Sequence, residues 1–368
     1  MLRNSYQKKT VLVTGHTGFK GSWLTIWLRE LGAHVIGYSF EPPSEPNNFN
    51  ASKLENKITH IHGDVRDLDS LLKIFRKYQP EFVFHLAAQP LVLLSYEEPK
   101  LTFDTNVGGT VNLLEAVRLN PGVKVFVNIT SDKCYENKEW VWGYRENDPM
   151  GGNDPYSASK GCAELAFQAY LKSFFTHNDS MKRQIGAASV RAGNVIGGGD
   201  WGKDRLIPDC IRAFSSHQII GIRNPNFIRP WQHVLEPLSG YLWLGALLSS
   251  EPDCYSGAWN FGPDDSSQMT VANVVNKFIQ YWGDGSWKDL SNQDAPREAK
   301  LLKLNCDKVY AELNWHSVLS IDECLRMTTE WYRKFYSNRP NEDMYLNCVD
   351  QINSYSDRAS QKGLSWTK

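Results

Sequence analysis

Tyr156 and Lys160 stand four residues apart, near the start of a stretch whose apolar spacing predicts a long helix over 155–175. Residues i and i+4 lie on one face of a helix, so the phenol and the ammonium would point the same way. A neighbouring cation favours the phenolate and lowers the pKa of a tyrosine. The pair makes Tyr156 a candidate base near neutral pH, although the same spacing also occurs in ordinary surface pairs.

Three glycines, Gly15, Gly18 and Gly21, follow a short β-branched strand and open the next helix. In dinucleotide-binding turns one glycine makes the turn, one lets the backbone approach the pyrophosphate, and one lets helix and strand pack closely. The pyrophosphate then lies on the helix N-terminus, where free N–H groups and the helix dipole favour negative charge. The spacing is G-x-x-G-x-x-G, and further strand–helix units behind it predict a dinucleotide site.

The end of the second predicted strand bears on which dinucleotide binds. Ser39 occupies the position where NAD-binding proteins usually carry a carboxylate for the ribose hydroxyls, and Glu41 is nearby. The sequence places no Arg or Lys there to take a 2′-phosphate, which favours NAD over NADP. Asp64 ends the third predicted strand, where it could meet the adenine amino group or equally be a turn residue.

The elements that would position these residues alternate through the first half of the chain. Continuously apolar strands separated by helices are typical of a parallel sheet that is covered on both faces. We therefore predict an α/β fold with a Rossmann-type doubly wound parallel sheet. The predicted strands are 10–15, 34–40, 58–64, 81–88, 123–131 and 185–191, and the predicted helices are 21–31, 67–78, 105–119 and 155–175.

The pattern changes after Arg191, where Gly, Asp, Trp, Arg and Pro become dense and the elements become shorter. We predict a dinucleotide-binding domain over 1–190, with a helical segment at about 234–256 that returns to it. A smaller, mixed α/β substrate-binding lobe would span 191–340. The polar residues 341–368 are expected to form a loose tail.

Composition excludes some classes of partner. The 368 residues carry 40 Lys and Arg against 41 Asp and Glu, a balance that argues against broad binding to nucleic acid or to a membrane surface. The longest uncharged helical stretch, Pro237–Ser250, is shorter than the roughly 20 residues that a membrane span needs. The N-terminus lacks the apolar run of a signal peptide.

Cysteine and histidine spacing points to a reduced protein without a structural metal. The seven cysteines are scattered and form no Cys-x-x-Cys, which favours free thiols in a cytoplasmic protein. Among the histidines, His60-x-His62 comes nearest to the spacing of metal ligands, and we interpret the pair as alternate residues of a strand. We predict no metal site.

Longer stretches carry a resemblance. VTGHTGFKGSWL, HLAAQPLV, NITSDKCYENKEWVWGYREN, RAGNVIGGGDW and RPWQHVLEPLSGY, together with Tyr156-x-x-x-Lys160, resemble extended short-chain dehydrogenases/reductases that act on nucleotide sugars. Within them the chain is similar, over nearly its full length, to the 4,6-dehydratase branch that uses CDP-glucose. Long stretches of this kind are far more specific than the two short motifs.

The resemblance implies a catalytic set at the end of the fifth strand. Ser131, Asp132 and Lys133 take the place of a Thr-Asp-Glu that is typical of the wider dehydratase family, and Ser-Asp-Lys is typical of the CDP-glucose branch. Tyr156, helped by Lys160, would remove the 4-hydroxyl proton of the sugar while Ser131 holds that hydroxyl. Lys133 would act as a neutral base at C5, and a protonated Asp132 would release the 6-hydroxyl as water.

The resemblance also implies two binding sets. The NAD-binding residues would be Gly15, Thr17, Gly18, Phe19, Lys20, Gly21, Asp64, Val65, Leu86, Ala87, Ala88, Asn106, Tyr156 and Lys160. The nucleotide-sugar-binding residues would be Gln89, Asn194, Arg205, Arg229 and Arg297. A planar guanidinium suits bidentate binding of a diphosphate, but each arginine, above all Arg297, could instead be an ordinary surface residue.

Two residues depart from the pattern of the CDP-glucose branch, and the resemblance also implies a homodimer. Leu93 stands where the CDP-glucose branch is expected to carry Arg, which bears on the identity of the nucleotide or sugar, and Ser39 suggests weaker cofactor binding. The family often dimerises through helices that include the one carrying Tyr156. The outer face of that helix, predicted to carry Ala163, Ala166, Phe167 and Tyr170, is compatible with a homodimer.

Two other functions compete with dehydration. A nucleotide-sugar 4-epimerase would need Ser131, Tyr156 and Lys160 but no acid–base pair at positions 132 and 133. A non-catalytic dinucleotide-binding protein would keep the glycines and lose the tyrosine or the lysine, both of which are present.

Overall fold

A computed structural model describes residues 1–176, 184–264, 267–291, 301–337 and 343–368. Its strands are β1 (Thr10–Thr14), β2 (His34–Ser39), β3 (Thr59–His62), β4 (Phe82–His85), β5 (Val125–Ile129), β6 (Gly186–Arg191), β7 (Val195–Ile196), β8 (Ile220–Ile222), β9 (Ile228–Pro230), β10 (Gln232–His233), β11 (Gly257–Asn260), β12 (Gln268–Thr270) and β13 (Trp287–Asp289). Its α-helices are α1 (Leu2–Tyr6), α2 (Phe19–Glu30), α3 (Asn48–Ala51), α4 (Leu68–Tyr78), α5 (Val92–Glu97), α6 (Pro99–Phe103), α7 (Gly109–Leu119), α8 (Pro155–Tyr170), α9 (Leu206–Ser215), α10 (Leu235–Ser250), α11 (Pro252–Tyr255), α12 (Val271–Trp282), α13 (Asp307–Leu313), α14 (Ile321–Phe335) and α15 (Met344–Gln361).

The central sheet has seven strands in the order β11-β6-β5-β4-β1-β2-β3, and every pairing in it is parallel. Strand order reverses beside β1, so the carboxyl ends of β1 and β4 border a crevice of the kind that binds ligands in doubly wound sheets. The residues of β5 and β6 are buried throughout, because helices cover both faces. The predicted α/β doubly wound fold is confirmed.

The hydrophobic core is continuous between the sheet and the C-terminal half of the chain. One cluster of buried side chains includes Val13 on β1, Trp27 on α2, Tyr241 on α10 and Trp331 on α14. α10 is buried almost all round and packs on β5 and β6, as the predicted returning segment requires. The division of the chain near residue 190 stays a prediction, since this core crosses it.

The expectation of a loose tail from residue 341 was wrong for the part that the structure describes. α15 packs against α2 and buries Met344, Cys348, Ile352, Tyr355 and Ala359. These residues follow the spacing of one helical face, so the stretch is amphipathic although its average composition is polar.

Two of the predicted helices contain a wider π-helical turn. The predicted helix 105–119 begins as a π-turn, Asp104–Gly108, before α7. The predicted helix 155–175 ends as a π-turn, Leu171–Phe175, after α8. Such turns occur frequently at functional sites, and Asn106 lies in the first of them.

All seven cysteines are free thiols; five are buried, and Cys162 and Cys254 are exposed. Within the ranges described, none of the helices combines the length and apolar character needed to cross a bilayer. The same ranges contain no group of three or more His, Cys, Asp or Glu side chains arranged to hold a metal ion.

Candidate active site

The loop after β1 brings three segments close together through its glycines. Gly15 has φ +74°, and a Cβ atom built on it would lie 2.6 Å from the backbone nitrogen of Ala87. A Cβ on Gly21 would lie 2.1 Å from the Gly15 carbonyl oxygen. Gly18 is the N-cap of α2 and has no side chain that could accept a hydrogen bond. The first N–H groups of the helix therefore face the crevice without a capping side chain. This geometry fits a pyrophosphate at the helix N-terminus.

The ends of β2 and β3 carry small hydroxyls and one ion pair. The Thr17 hydroxyl donates to the Phe40 carbonyl at 3.0 Å and lies 2.8 Å from the Ser39 hydroxyl, which donates to it. Asp64 accepts from the Arg66 guanidinium at 2.8 and 2.6 Å, and that guanidinium lies 5.9 Å from the Phe40 ring centroid. The turn after β3 therefore brings a cation, Arg66, close to Phe40, which the sequence analysis did not single out. Asp64 balances its charge.

The loop after β4 is tied to α8 by Asn106. Its Oδ1 accepts from the Gln89 backbone N–H at 2.8 Å, and its Nδ2 donates to the Ser159 hydroxyl at 2.9 Å and to the Gln89 carbonyl at 3.2 Å. The Gln89 side chain donates to the Thr102 hydroxyl at 2.8 Å and to the Leu91 carbonyl at 3.0 Å. Both predicted binding residues therefore hold the scaffold together. The other predicted cofactor residues at this sheet edge follow β3 and β4 or begin α2; they are Val65, Leu86, Ala88 and Phe19.

The segment after β5 carries the predicted acid and base. Ser131 and Asp132 are buried, and the Ser131 hydroxyl donates to Asp132 Oδ1 at 3.0 Å. The next residue, Lys133, belongs to a short 3₁₀ turn and donates its backbone N–H to Ser131 Oγ at 3.3 Å. The Lys133 side chain is exposed. Burial, which the sequence offered as a way to keep this amine neutral, is absent.

The start of α8 presents Tyr156 and Lys160 to the same crevice. Asp154 caps the helix by accepting from the Ser157 N–H at 2.9 Å. Tyr156 and Lys160 are both buried, and the Lys160 Nζ lies 5.9 Å from the Tyr156 ring centroid. Burial raises the pKa of Tyr156 to about 12, although a hydrogen bond with Ser131 lowers it. The predicted lowering of this pKa is therefore wrong, since burial outweighs the neighbouring positive charges.

A second lysine faces the acid. Lys20, the second residue of α2, is half-buried, and desolvation lowers its pKa to about 8. Asp132 raises this pKa, whereas Arg205 and Lys160 lower it, so Lys20 feels the charges of three predicted site residues. The sequence placed Lys20 with the cofactor residues. Its position also makes it part of the acid–base cluster.

The predicted substrate arginines lie in different surroundings. The Arg205 Nη1 donates to both carboxylate oxygens of Asp200 at 2.9 and 3.1 Å, and Arg205 lowers the pKa of Tyr156. Arg229 on β9 places its guanidinium 5.2 Å from the Phe227 ring centroid. Asn194 has φ +48° and accepts the N–H of Gln232 through its carbonyl. Arg297 lies outside the described residues.

A cavity opens beside Asp132 and contains a polar atom that the sequence did not single out. Its lining includes Asp132, Gly193, Pro230, Gln232, Lys303 and Leu304. The Gln232 Nε2 donates to the carbonyls of Gly193 and Phe261, both at 3.1 Å, which fixes the orientation of the amide. Its buried Oε1 meets no hydrogen-bond partner in the described chain. Gln232 lies within the RPWQHV stretch, in which the sequence analysis predicted only Arg229 as a site residue.

The helix face predicted for dimerisation is partly internal. Ala163 and Phe167 are buried, and Phe167 packs in the core on one side of the sheet. The prediction was wrong for these two residues, because this side of α8 faces the sheet. The exposed apolar side chains on α6, α7, α8 and the following turn are Phe103, Leu119, Leu165 and Phe174.

Residues 11–253 match the model of a family described as the NAD dependent epimerase/dehydratase family. The chain is 50% identical over 353 residues to CDP-glucose 4,6-dehydratase of Salmonella typhimurium, an alignment that covers 96% of this chain and 98% of that protein. It is 26% identical to dTDP-glucose 4,6-dehydratase of Haemophilus influenzae, over 88% of this chain and 97% of that protein.

Solved structures share the fold. A dTDP-glucose 4,6-dehydratase from Bacillus anthracis in complex with NAD superposes with a TM-score of 0.71 at 21% identity, covering 90% of this chain and 98% of that one. A UDP-glucose 4-epimerase from Thermotoga maritima with UDP-glucose superposes with a TM-score of 0.73 at 23% identity, covering 89% and 99%.

Proposed function

The chain belongs to the NAD-dependent epimerase/dehydratase family, and we propose that it is a nucleotide-sugar 4,6-dehydratase that converts CDP-glucose to CDP-4-keto-6-deoxyglucose. Half of its residues are identical to those of a CDP-glucose 4,6-dehydratase over almost the whole length of both chains. The observation that carries the proposal is the buried Asp132 carboxyl, which stands beside Ser131 at the strand end that Tyr156 faces. A 4-epimerase has no need of that acid.

NAD is the cofactor, and the residues of the crevice fit it. Gly15, Gly18 and Gly21 give the pyrophosphate close access to the backbone and to the N-terminus of α2. Thr17 and Ser39 offer hydroxyls at the end of β2, where the adenosine ribose belongs. When bound, the nicotinamide supplies an acceptor for the C4 hydride of the sugar and a donor for its return at C6.

Tyr156 is the group that takes the proton of the sugar 4-hydroxyl. A phenol with a pKa of about 12 is seldom ionised at neutral pH, so the site must stabilise the phenolate. The Arg205 guanidinium, which Asp200 holds in place, lowers this pKa in part, and the Ser131 hydroxyl can turn its single proton from Asp132 to the phenolate. Lys160 adds a positive charge on the same helix face.

Water leaves across C5 and C6 once C4 is a ketone, because the ketone makes the C5 hydrogen acidic. The C5 proton passes to a base, the C6–O bond breaks, and the oxygen leaves as water with the proton of Asp132. Lys133 is the base that we propose. Lys20 is the second candidate, since its pKa of about 8 leaves a useful neutral fraction near neutral pH.

Arg229 and Asn194 are our candidates for the nucleotide diphosphate. Arg229 stands on β9, one residue before the cavity-lining Pro230. Arg205 is tied to Asp200 and acts on Tyr156, so we assign it to the sugar end of the site. The role of Arg297 stays a prediction.

The test is an assay of the purified protein with NAD and a panel of CDP-, dTDP-, GDP- and UDP-glucose. We expect CDP-glucose to give a product that is lighter by one water and develops the alkali-induced absorbance of a 4-keto-6-deoxy sugar. A product of unchanged mass would indicate a 4-epimerase. Binding of NAD without any product would contradict both enzyme assignments.

We further propose that the protein is a homodimer that packs through α6, α7 and α8. Phe103, Leu119, Leu165 and Phe174 place apolar surface on these neighbouring elements. Sedimentation of the wild type should give twice the monomer mass, and Leu165→Glu should shift it to the monomer. A monomeric wild type at micromolar concentration would contradict this assignment.

A further inference from the structure

A buried ion pair lies behind the catalytic residues. Glu164 on α8 and Arg191 at the end of β6 both have side chains with no exposed surface. The Arg191 Nε donates to one carboxylate oxygen at 3.0 Å, and Nη2 donates to the other at 2.8 Å. This bidentate geometry is the strong form of the arginine–carboxylate contact.

The same carboxylate joins two strand ends to the catalytic helix. Glu164 accepts a short hydrogen bond from the hydroxyl of Thr130, the residue directly before Ser131. It also accepts from the Ser189 hydroxyl at 2.6 Å. Although burial disfavours the ionised form, Arg191 and these hydroxyls bring the pKa of Glu164 below its usual value. Glu164 is therefore a fixed negative charge.

Glu164 also shares a helix face with the catalytic pair. Tyr156, Lys160 and Glu164 are spaced by four residues along α8, so consecutive members are neighbours on its surface. Burial lowers the pKa of Lys160 to about 8, and Glu164 is the largest influence that raises it. Without this carboxylate, the pKa of Lys160 would fall further.

The other titratable groups around Lys160 do not replace Glu164. His85 on β4 is neutral, since burial lowers its pKa to about 3. Cys134 after β5 is a neutral thiol, since burial raises its pKa. Lys20 on α2 adds a like charge that disfavours a second ammonium. Tyr156 on the same helix is neutral until its phenol ionises.

We propose that Glu164 is a positioning residue for the reaction: it keeps Lys160 in the ammonium form and, through Thr130, fixes the strand end that carries Ser131. The inference rests on the proposed function, because it assigns Glu164 a part in the chemistry of Tyr156 and Lys160. A carboxylate that served only to hold the fold together would affect stability and leave the charge of Lys160 unchanged.

The charge of Lys160 is measured by competitive acetylation across a pH series, with each lysine quantified on its own peptide by mass spectrometry. This measurement needs no turnover, so it stands even if the substrate assignment fails. In the wild type, the reactivity of Lys160 should rise through a pH of about 8. Lys53 is exposed and lies outside the proposed site, so it serves as the internal reference within each sample.

Two variants separate charge from shape. Glu164→Gln keeps the length of the side chain and removes the charge, and we expect the Lys160 midpoint to move about 1 pH unit lower. Glu164→Asp keeps the charge and shortens the side chain, and its midpoint should stay at the wild-type value. If Glu164→Gln fails to fold, Glu164→Gln/Arg191→Met leaves no unpaired buried charge and carries the test, with a smaller downward shift expected because the positive charge of Arg191 is removed as well.

Turnover gives the second measurement. Glu164→Gln should lower kcat by about twofold at pH 7 and by about fivefold at pH 8, because a Lys160 midpoint moved from about 8 to about 7 leaves that much less of the ammonium form. In a Lys160→Arg background the same substitution should cost far less, since an arginine stays charged whatever stands at position 164. An unshifted Lys160 midpoint in folded Glu164→Gln, or an equal loss of kcat in both backgrounds, would overturn the inference. A wild type without turnover would overturn only the proposed function.

Discussion

The carboxyl edge of the sheet has two halves that are built differently. The cofactor half, at the ends of β1, β2 and β4, relies on glycines, backbone groups and small hydroxyls. The chemistry half, at the ends of β5 and β6 with the start of α8, relies on buried charged side chains. The cofactor half binds through the shape of its backbone and the dipole at the N-terminus of α2. The chemistry half contains side chains whose charge can change during the reaction.

This difference implies that the two halves can be damaged separately. A change in the cofactor half should alter NAD affinity and leave kcat at saturation nearly unchanged. A change in the chemistry half should do the reverse. Lys20 belongs to the glycine-loop helix and also feels the charges of the proposed catalytic groups.

Tyr156→Phe, in the chemistry half, should have the largest effect on turnover. It removes the oxygen that takes the 4-hydroxyl proton, and we expect kcat to fall by about 10⁴-fold, the upper end for loss of a general base. NAD binding, measured by calorimetry, should change little. Tyr96→Phe, at an exposed tyrosine, is the matched control. Normal turnover by Tyr156→Phe would remove this residue from the mechanism.

Lys133→Met should come next, with product formation reduced by about 10²-fold. Oxidation at C4 should still occur, so absorbance of reduced cofactor should build up in stopped-flow measurements. Lys20→Met is the comparison, because Lys20 is the rival base in a more buried position. If Lys133→Met forms product at the normal rate and Lys20→Met blocks elimination, the base lies on the glycine-loop helix and the two halves share a catalytic group.

Gly15→Ala probes the cofactor half. The new methyl group would lie 2.6 Å from the Ala87 nitrogen, at a φ of +74° that side chains rarely adopt. Strain of about 2 kcal/mol should weaken NAD binding by roughly 30-fold. Gly108→Ala is the control, because a Cβ there would meet nothing within 4 Å. An unchanged dissociation constant for NAD would contradict the assigned role of Gly15.

Ser39→Asp should have the smallest effect and the opposite sign. A carboxylate at the end of β2 can accept hydrogen bonds from the ribose hydroxyls, and we expect NAD to bind about tenfold more tightly. The value of kcat at saturating NAD should not change. Ser39→Asn, which is similar in size and lacks the charge, separates shape from charge. Weaker NAD binding by Ser39→Asp would place the ribose elsewhere.

The sequence predicted the cofactor half better than the chemistry half, for a physical reason. Gly15, Gly18 and Gly21 act through local backbone geometry, which a spacing pattern encodes directly. Arg66 was missed because its approach to Phe40 depends on a turn after the next strand. The burial of α15 was missed because average polarity concealed an apolar face.

In the chemistry half, helical spacing predicted which residues share a face, but it did not predict the pKa values of those residues. Tyr156 and Lys160 share a face as predicted, but the balance between burial and charge depends on groups from other elements. The exposure of Lys133 and the unpartnered Gln232 oxygen are likewise tertiary facts. No local pattern contains them.

Dehydration by this route depends on a transient ketone at C4 that allows water to leave and on return of the same hydrogen to C6. CDP-glucose carrying deuterium at C4, incubated with the protein and NAD in ordinary water, tests this directly by mass spectrometry and NMR of the product. We predict that the deuterium appears at C6 of the 4-keto-6-deoxy sugar, with a solvent hydrogen at C5. A product that lacks deuterium at C6 would contradict the proposed mechanism.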